Sequence, residues 1–445
     1  MGNNNRQMSL GAMMFYPSGE NIASWRHPEV DASQMLDFDY YKNIVQAAER
    51  AKFDLFFYAD NLYVWDRYDS SIRGANSIRP EPITLMAALA SVTKHIGLAP
   101  TISTSYNEPY HIARKMATLD HFSKGRTAWN VITSSADEEA QNFNKEKHLE
   151  HSTRYRRAAE FVDVTLGLFD SWEEDSVVMN KESGEFADPE KVHYLNHSGE
   201  FFKVRGPLNV SRPPQGHPVL VQAGASESGK ELAARTAEVI FSPFVPLEDA
   251  KAFYRDVKGR LSKYGRDPHE VKIMPSFIPI VGRTEAEAKE QLEIVGDLIP
   301  DALCRDLLSH YLGQDISHLS LDEPLPFIPS QENNNQSKSR IDRVIRLLEK
   351  ERLTPRQLFK KIYNNSFAGT PEQVADVMET YFKEEAADGF IMPFAHLPGG
   401  LDDFIELVLP ELRRRGLFRT EYPGGTLRDT LGLTRPVNRY SVKNT

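Results

Sequence analysis

The sequence predicts an α/β fold, a (β/α)8 (TIM) barrel in a single domain over residues 1–445, with insertions after the fourth and seventh strands. Three observations carry that expectation. Apolar runs of strand length alternate with longer amphipathic stretches from one end of the chain to the other, the pattern of a parallel sheet wrapped by helices. Eight such pairs can be counted, the number that closes a barrel. No abrupt change of composition divides the 445 residues, and a barrel takes about 250 residues, or more with insertions.

Taken in order, the first four strands are expected at Met8–Met14, Phe53–Ala59, Ile96–Thr101 and Thr127–Thr133. The next four are expected at Val219–Ala223, Val239–Ser242, Lys272–Val281 and Gly389–Pro393, and each of the eight is followed by a helical pattern. The surplus length falls at 173–217 and at 285–367, with a tail over 416–445. Within the second insertion, Pro324–Arg340 is rich in Pro, then Asn and Ser, with no period, and reads as an exposed or mobile loop. Loops that follow barrel strands lie at the catalytic mouth, so this insertion is a lid candidate; a surface decoration fits the same residues equally well.

Composition excludes several function classes. Lys plus Arg number 53 against 63 Asp plus Glu, a formal net charge of −10, which argues against nucleic acid as a partner. The single cysteine, Cys304, permits no internal disulfide and is too little for a zinc ribbon or an iron–sulfur cluster. The start, MGNNNRQMSLGAMMF, lacks the charged lead and long apolar run of a secretory signal. No stretch approaches the roughly 20 apolar residues that cross a bilayer, so a cytoplasmic protein without a membrane partner is expected.

The sharpest short motif is a near miss. Gly224–Lys230, within PVLVQAGASESGKE, matches G-x-x-x-x-G-K, but Glu231 stands where a Walker motif needs Ser or Thr to hold magnesium. Small residues ahead of a helix still expose backbone N–H groups, and Gly224, Ala225 and Ser226 with Ser228 suit a bound phosphate; an ordinary βα turn explains the same residues. His151, Arg154 and Tyr155 open the helix after the fourth strand on one face, with Ser152 or Thr153 as expected caps. His148 and His151 form H-x-x-H, but no second cluster with a carboxylate follows at metal spacing, so no metal is expected.

Strand ends carry Asp60, Ser103 with Thr104, and Asn130 to Ser134, mostly neutral hydrogen-bonding groups. Such a site suits a polar heterocycle better than glycoside hydrolysis, which needs two carboxyls across the bond. No G-x-S-x-G elbow and no G-x-G-x-x-G fingerprint follows any strand, which weakens a serine hydrolase and a private nicotinamide domain.

At GRTAWNVITS, with SWRHPEVD, FDLFFYAD, TLDHFSKGR, NFNKEKHLEHSTRYRRAAEF, GPLNVSRPPQGHPVLVQAGASESGK and EAADGFIMPFAHLPGGLDDF, the chain resembles a known group. That group contains nitrilotriacetate monooxygenase component A, dibenzothiophene-sulfone monooxygenases and long-chain-alkane monooxygenases, among the bacterial-luciferase-like flavin enzymes. The likeness runs from about Met8 to about Leu433, and several blocks in one order are more specific than any single motif.

The resemblance implies a barrel of the bacterial luciferase-like type and a two-component monooxygenase. Reduced FMN would come from a separate NAD(P)H:flavin reductase, with dioxygen and a small-molecule substrate as co-reactants and a homodimer or homotetramer as the assembly. Carried over residue by residue, flavin contacts fall on Asp60, Ser103, Asn130 and Ser134, with His151 beside the flavin. Phosphate contacts fall on Tyr155 and on Gly224, Ala225 and Ser226. Ser135, Tyr16 and His310 become the candidate catalytic residues, and Phe15 with Tyr16 an aromatic wall. Positions around Tyr16, Gly19, Trp65 and Ser135 differ between branches of the group, so the substrate does not carry over. An aminopolycarboxylate pocket would need cations, for which Arg26, Arg73 and Arg79 are available, each also explicable as a surface ion pair. A deazaflavin-dependent hydride transferase, a metal-dependent barrel hydrolase and a non-catalytic flavin-binding protein remain the alternatives.

Overall fold

The computed structural model describes residues 6–66, 68–224, 226–329, 338–363 and 366–441. Eight parallel strands form the barrel: β1 (Ser9–Met14), β2 (Leu55–Tyr58), β3 (Gly97–Ser103), β4 (Ala128–Ile132), β5 (Val219–Ala223), β6 (Val239–Ser242), β7 (Lys272–Pro275) and β8 (Gly389–Pro393). From β1 to β7 each strand pairs with the next in sequence, and β8 pairs with β1. The last seam, between β7 and β8, is held by Asp388 N–H donating to the Ile273 carbonyl at 2.7 Å and Phe277 N–H to that of Ile391 at 3.1 Å.

The helices packed outside are α1 (Phe38–Arg50), α2 (Pro82–Val92), α3 (Pro109–Phe122), α4 (His151–Phe169), α5 (Glu227–Thr236), α6 (Leu247–Arg260) and α7 (Pro371–Lys383). In α1 the buried residues Tyr40, Tyr41, Ile44, Val45 and Ala48 fall on one stripe, and the Asp37 side chain caps the helix by accepting from Asp39 N–H. After β8 a helical run covers 399–414, with a π-helical turn at Phe404–Val408.

Alternation along the strands decides what faces the barrel axis. Met13, Leu55, Phe57, Ala99, Ala128, Val219, Val221, Val239, Met274 and Ile391 form one interior cluster. Leu427, Leu431 and Leu433 from the tail join that cluster, so the tail seals the end from which the strands start. Two residues beyond Ala99 and Ala128 on the same inward face stand Thr101 and Asn130, and Ser103 follows Thr101. The axis therefore turns polar toward the strand C-termini.

Two expectations about elements need correction. The run Lys272–Val281 is not one strand: the chain leaves the barrel at Ser276 and Phe277, and Ile278–Val281 pairs in parallel with Ser366–Gly369 in a separate two-stranded sheet. Of Pro324–Arg340, residues 330–337 lie outside the described residues, and the last three open a helix, Lys338–Lys350, where a loop is expected. The 173–217 segment forms two short antiparallel hairpins, Val177–Asn180 with Glu185–Ala187 and His197–Ser198 with Lys203–Val204. In the 285–367 segment the helix Asp301–Leu312 builds a second core from Leu303, Leu307, Leu308, Leu358 and Phe359, with Ile22, Ala23 and Trp65 of the loops after β1 and β2 packed against it.

Candidate active site

The C-terminal ends of β3 and β4 bring together the polar groups that the sequence singles out. Ser103, the last residue of β3, has its hydroxyl 2.8 Å from the hydroxyl of Ser134, two residues beyond β4. Ser134 sits in the left-handed region at φ 56°, a conformation that costs an L-residue about 1–2 kcal/mol. Surrounding bonds hold it there: Arg154 Nη1 donates to the Ser134 carbonyl, and Ser135 N–H donates to Glu139 Oε2 at 3.2 Å. Glu139 also accepts Leu62 N–H at 3.1 Å, so this buried carboxylate ties the loop after β2 to the loop after β4.

Asn130 lies deeper. Its Nδ2 donates to Thr101 Oγ1 at 2.9 Å, and Thr101 in turn donates to the Tyr58 carbonyl at 2.7 Å. Its Oδ1 is buried and has no partner. An unpaired buried amide oxygen costs about 1–3 kcal/mol, which a bound donor would recover.

A second group forms where β5 turns into α5. Ser226 is the N-cap of α5, and its Oγ accepts Gly229 N–H at 3.1 Å. The same oxygen lies 3.5 Å from the phenol oxygen of Tyr155 on α4. Gly224 and Gly229 lie back to back: a Cβ on Gly229 would come within 3.0 Å of Gly224 Cα, 3.1 Å of Ser226 Oγ and 3.3 Å of Tyr155 Oη. Ala225 lies outside the described residues. His151 stands one turn before Tyr155, with ring centroids 4.7 Å apart. Helix α4 starts at His151, so Ser152 and Thr153 lie inside its first turn and are not its caps. Lys230, the lysine of the Walker-like string, is spent on Glu227 and Asp256, each at 2.8 Å, and Glu231 is held by Lys263, Tyr264 and Arg260. Neither is arranged to hold a nucleotide or its metal.

On the β1 and β2 side, the Phe15 and Tyr16 rings meet edge to face at 4.6 Å, with Arg79 over both. Burial pushes the Asp60 carboxyl up to about 7 against the pull of the Arg79 charge, and burial likewise raises Glu20 to about 7. The phenol of Tyr16 is raised as well, again by burial. On the rim, His27 and His396 stack at 3.8 Å, and His396 Nε2 lies 2.9 Å from Glu29 Oε2, linking the loops after β1 and β8. His148, the other half of H-x-x-H, bonds through Nδ1 to the Tyr106 hydroxyl. His310 stands in the last turn of the insertion helix Asp301–Leu312, not on the barrel. Glu139, Glu20 and the anchoring role of Arg154 went unmarked in the sequence; an acidic DEEA string gives no sign that one of its carboxylates is buried.

Against this geometry, the model of the luciferase-like monooxygenase family matches residues 21–388. The chain belongs to that family. N-acetyl-S-(2-succino)cysteine monooxygenase of Bacillus subtilis (strain 168) is 48% identical over 447 residues, covering 99% of this chain and 100% of that protein. Nitrilotriacetate monooxygenase component A of Aminobacter aminovorans is 47% identical, covering 98% of each. Among solved structures, a riboflavin lyase with a modified FMN and riboflavin superposes with a TM-score of 0.85 at 32% identity, covering 98% of each chain. This luciferase-like chain is a flavin-dependent monooxygenase of the two-component kind, which implies a partner reductase and dioxygen. Among the described residues no helix is long and apolar enough to cross a membrane.

Proposed function

We propose that this monooxygenase takes reduced FMN from a separate NAD(P)H:flavin reductase and oxygenates a small organic molecule by C–N, C–S or C–H chemistry. The observation that carries the FMN assignment is the pair of hydroxyls of Ser226 and Tyr155, set 3.5 Å apart over the side-chain-free Gly229 at the N-terminus of α5. A terminal phosphate has three oxygens seeking donors, and a ten-residue helix start adds backbone N–H groups and a favourable dipole. The mouth fits the rest of the coenzyme: Asn130 Oδ1 lacks a donor, and Ser103 and Ser134 present hydroxyls on the same inner wall. In the riboflavin lyase structure the same fold accompanies a modified FMN.

Bound reduced FMN supplies the reactivity toward dioxygen, one atom going to the substrate and the other to water. The protein's part is to place and to shield. Tyr155, Ser226 and Gly224 anchor the phosphate end, while Asp60, Ser103, Asn130, Ser134 and His151 fix the ring system. Phe15 and Tyr16 wall the chamber with aromatic surface that keeps water out. Tyr16, Ser135 and His310 are assigned to contact the substrate, His310 arriving on the insertion that packs over the loops after β1 and β2.

The test supplies purified protein with FMN, a generic flavin reductase, NADH and dioxygen, and reads product mass over a set of thioethers, sulfones, carboxylated amines and alkanes. One-oxygen products, with reduced FMN bound in preference to a reduced deazaflavin, are expected. Binding of the deazaflavin alone would overturn the assignment.

A further inference from the structure

We propose that the substrate of this site is an anion, a small molecule bearing at least one carboxylate, and that Arg79 is the residue that selects it. The proposal rests on the flavin reading above and adds the substrate class.

Three arginines were open candidates for such a role, and the structure separates them. Arg73 is paired with Asp69 at 2.6 Å on the outside, its side chain 76% exposed. Arg26 donates to the Leu298 carbonyl at the edge of the insertion. Arg79 alone of the three is turned onto the mouth. Its guanidinium carbon lies 4.5 Å from the centroid of the Phe15 ring and 5.2 Å from that of Tyr16, and its Nη1 donates to the Phe15 carbonyl at 3.3 Å.

A guanidinium carries five N–H donors, and one bond to a carbonyl leaves most of the fork unused. Among the described residues no carboxylate lies within ion-pair distance of Arg79, although many of the other arginines have one. Arg154 and Arg157 also lack one, but they reach the Ser134 and Asn107 carbonyls on the α4 side, where the flavin is placed. Stacking over two rings partly compensates the Arg79 charge and restricts its plane, which suits two-point capture of a planar carboxylate.

The acids near it form no ion pair with the cation. Burial raises both Asp60 and Glu20 to about 7, so each is mostly protonated only below that pH, and neither bonds to Arg79. The Tyr16 phenol stays neutral. In a chain with a formal net charge of −10, the mouth thus carries a guanidinium that no carboxylate of the described residues pairs with, and an anionic substrate would complete its fork.

The test uses the full chain with reduced FMN and matched pairs of probes, each a carboxylic acid and its methyl ester: N-acetyl-S-(2-succino)cysteine, nitrilotriacetate and a simple thioether diacid. The wild type is expected to consume at least one acid with kcat/KM at least tenfold above its ester. Arg79→Gln should raise KM for that acid by ten- to a hundredfold, change KM for the ester less than threefold and leave reduced-FMN affinity unchanged. Arg79→Lys should restore part of the loss. Preference for esters, no consumption of any acid by protein that binds reduced FMN, or equal losses on acid and ester in Arg79→Gln would each overturn the proposal. Failure to bind reduced FMN would instead remove the flavin reading beneath it.

Discussion

The hydroxyl of Ser103 meets the hydroxyl of Ser134 at 2.8 Å, joining the ends of the neighbouring strands β3 and β4 at the barrel mouth. Ser134 makes the contact from a left-handed backbone that Arg154 and the Glu139 loop hold in place. Removing the hydroxyl and removing the backbone strain are separable. Ser134→Ala and Ser134→Gly should weaken reduced-FMN binding alike, by about 0.5–1.5 kcal/mol for one neutral hydrogen bond. Only the alanine variant should lower the melting temperature, since glycine accepts that backbone without cost. Equal melting temperatures for the two variants would show that the strain is not carried at this residue.

The proposed phosphate niche makes a prediction specific to the coenzyme's tail. Ser226→Ala and Tyr155→Phe should each weaken FMN binding by about 0.5–3 kcal/mol, the range for neutral and charge-assisted hydrogen bonds, while affinity for riboflavin, which lacks the phosphate, stays level. Gly229→Ala should act in the same direction by pushing a methyl between the two hydroxyls. Titration with both ligands decides the matter, and parallel losses for FMN and riboflavin would place the tail elsewhere.

Glu139 is a positioning residue. Its carboxylate receives N–H groups from Leu62, Ser135 and Ala136, so Glu139→Gln replaces charge-assisted bonds with weaker ones and forces one amide N–H against a backbone donor. A loss of about 1–3 kcal/mol in stability is expected, together with faster proteolysis within the loops around Leu62 and Ser135. Unchanged stability and unchanged loop cleavage would contradict this role.

Glu20 gives the pH dependence. Burial lifts its carboxyl from 4.5 to about 7, so the native state keeps a proton that the unfolded chain has released. Stability from this group is therefore highest below pH 4.5 and declines as the pH rises toward 7. Glu20→Gln removes the penalty, and its unfolding free energy should exceed that of the wild type at pH 8 by on the order of 1–3 kcal/mol, with little difference at pH 4.5. The same offset at both pH values would mean that Glu20 titrates normally.

Much of this architecture was legible from the chain because its rules are local. The alternation that predicts eight strands also fixes which side chains face the axis, and Ser103, Asn130, Tyr155 and Ser226 were all marked by position at strand ends or helix starts. The Walker-like string could be dismissed at Glu231, and the structure adds that Lys230 is occupied by Glu227 and Asp256. What escaped depends on contacts distant in sequence. Nothing in the apolar run Lys272–Val281 says that the backbone leaves the barrel at Ser276, because the second half finds its partner only at Ser366–Gly369. Glu20, Glu139 and the stacking of Arg79 on Phe15 and Tyr16 likewise arise when separate loops converge on the mouth.

The most direct measurement is a crystal structure of this chain with FMN. The account predicts phosphate oxygens within hydrogen-bond distance of Ser226 Oγ and Tyr155 Oη and the isoalloxazine against Ser103, Asn130 and Ser134. Density for the coenzyme away from the turn between β5 and α5, or a mouth left empty at saturating FMN, would contradict it.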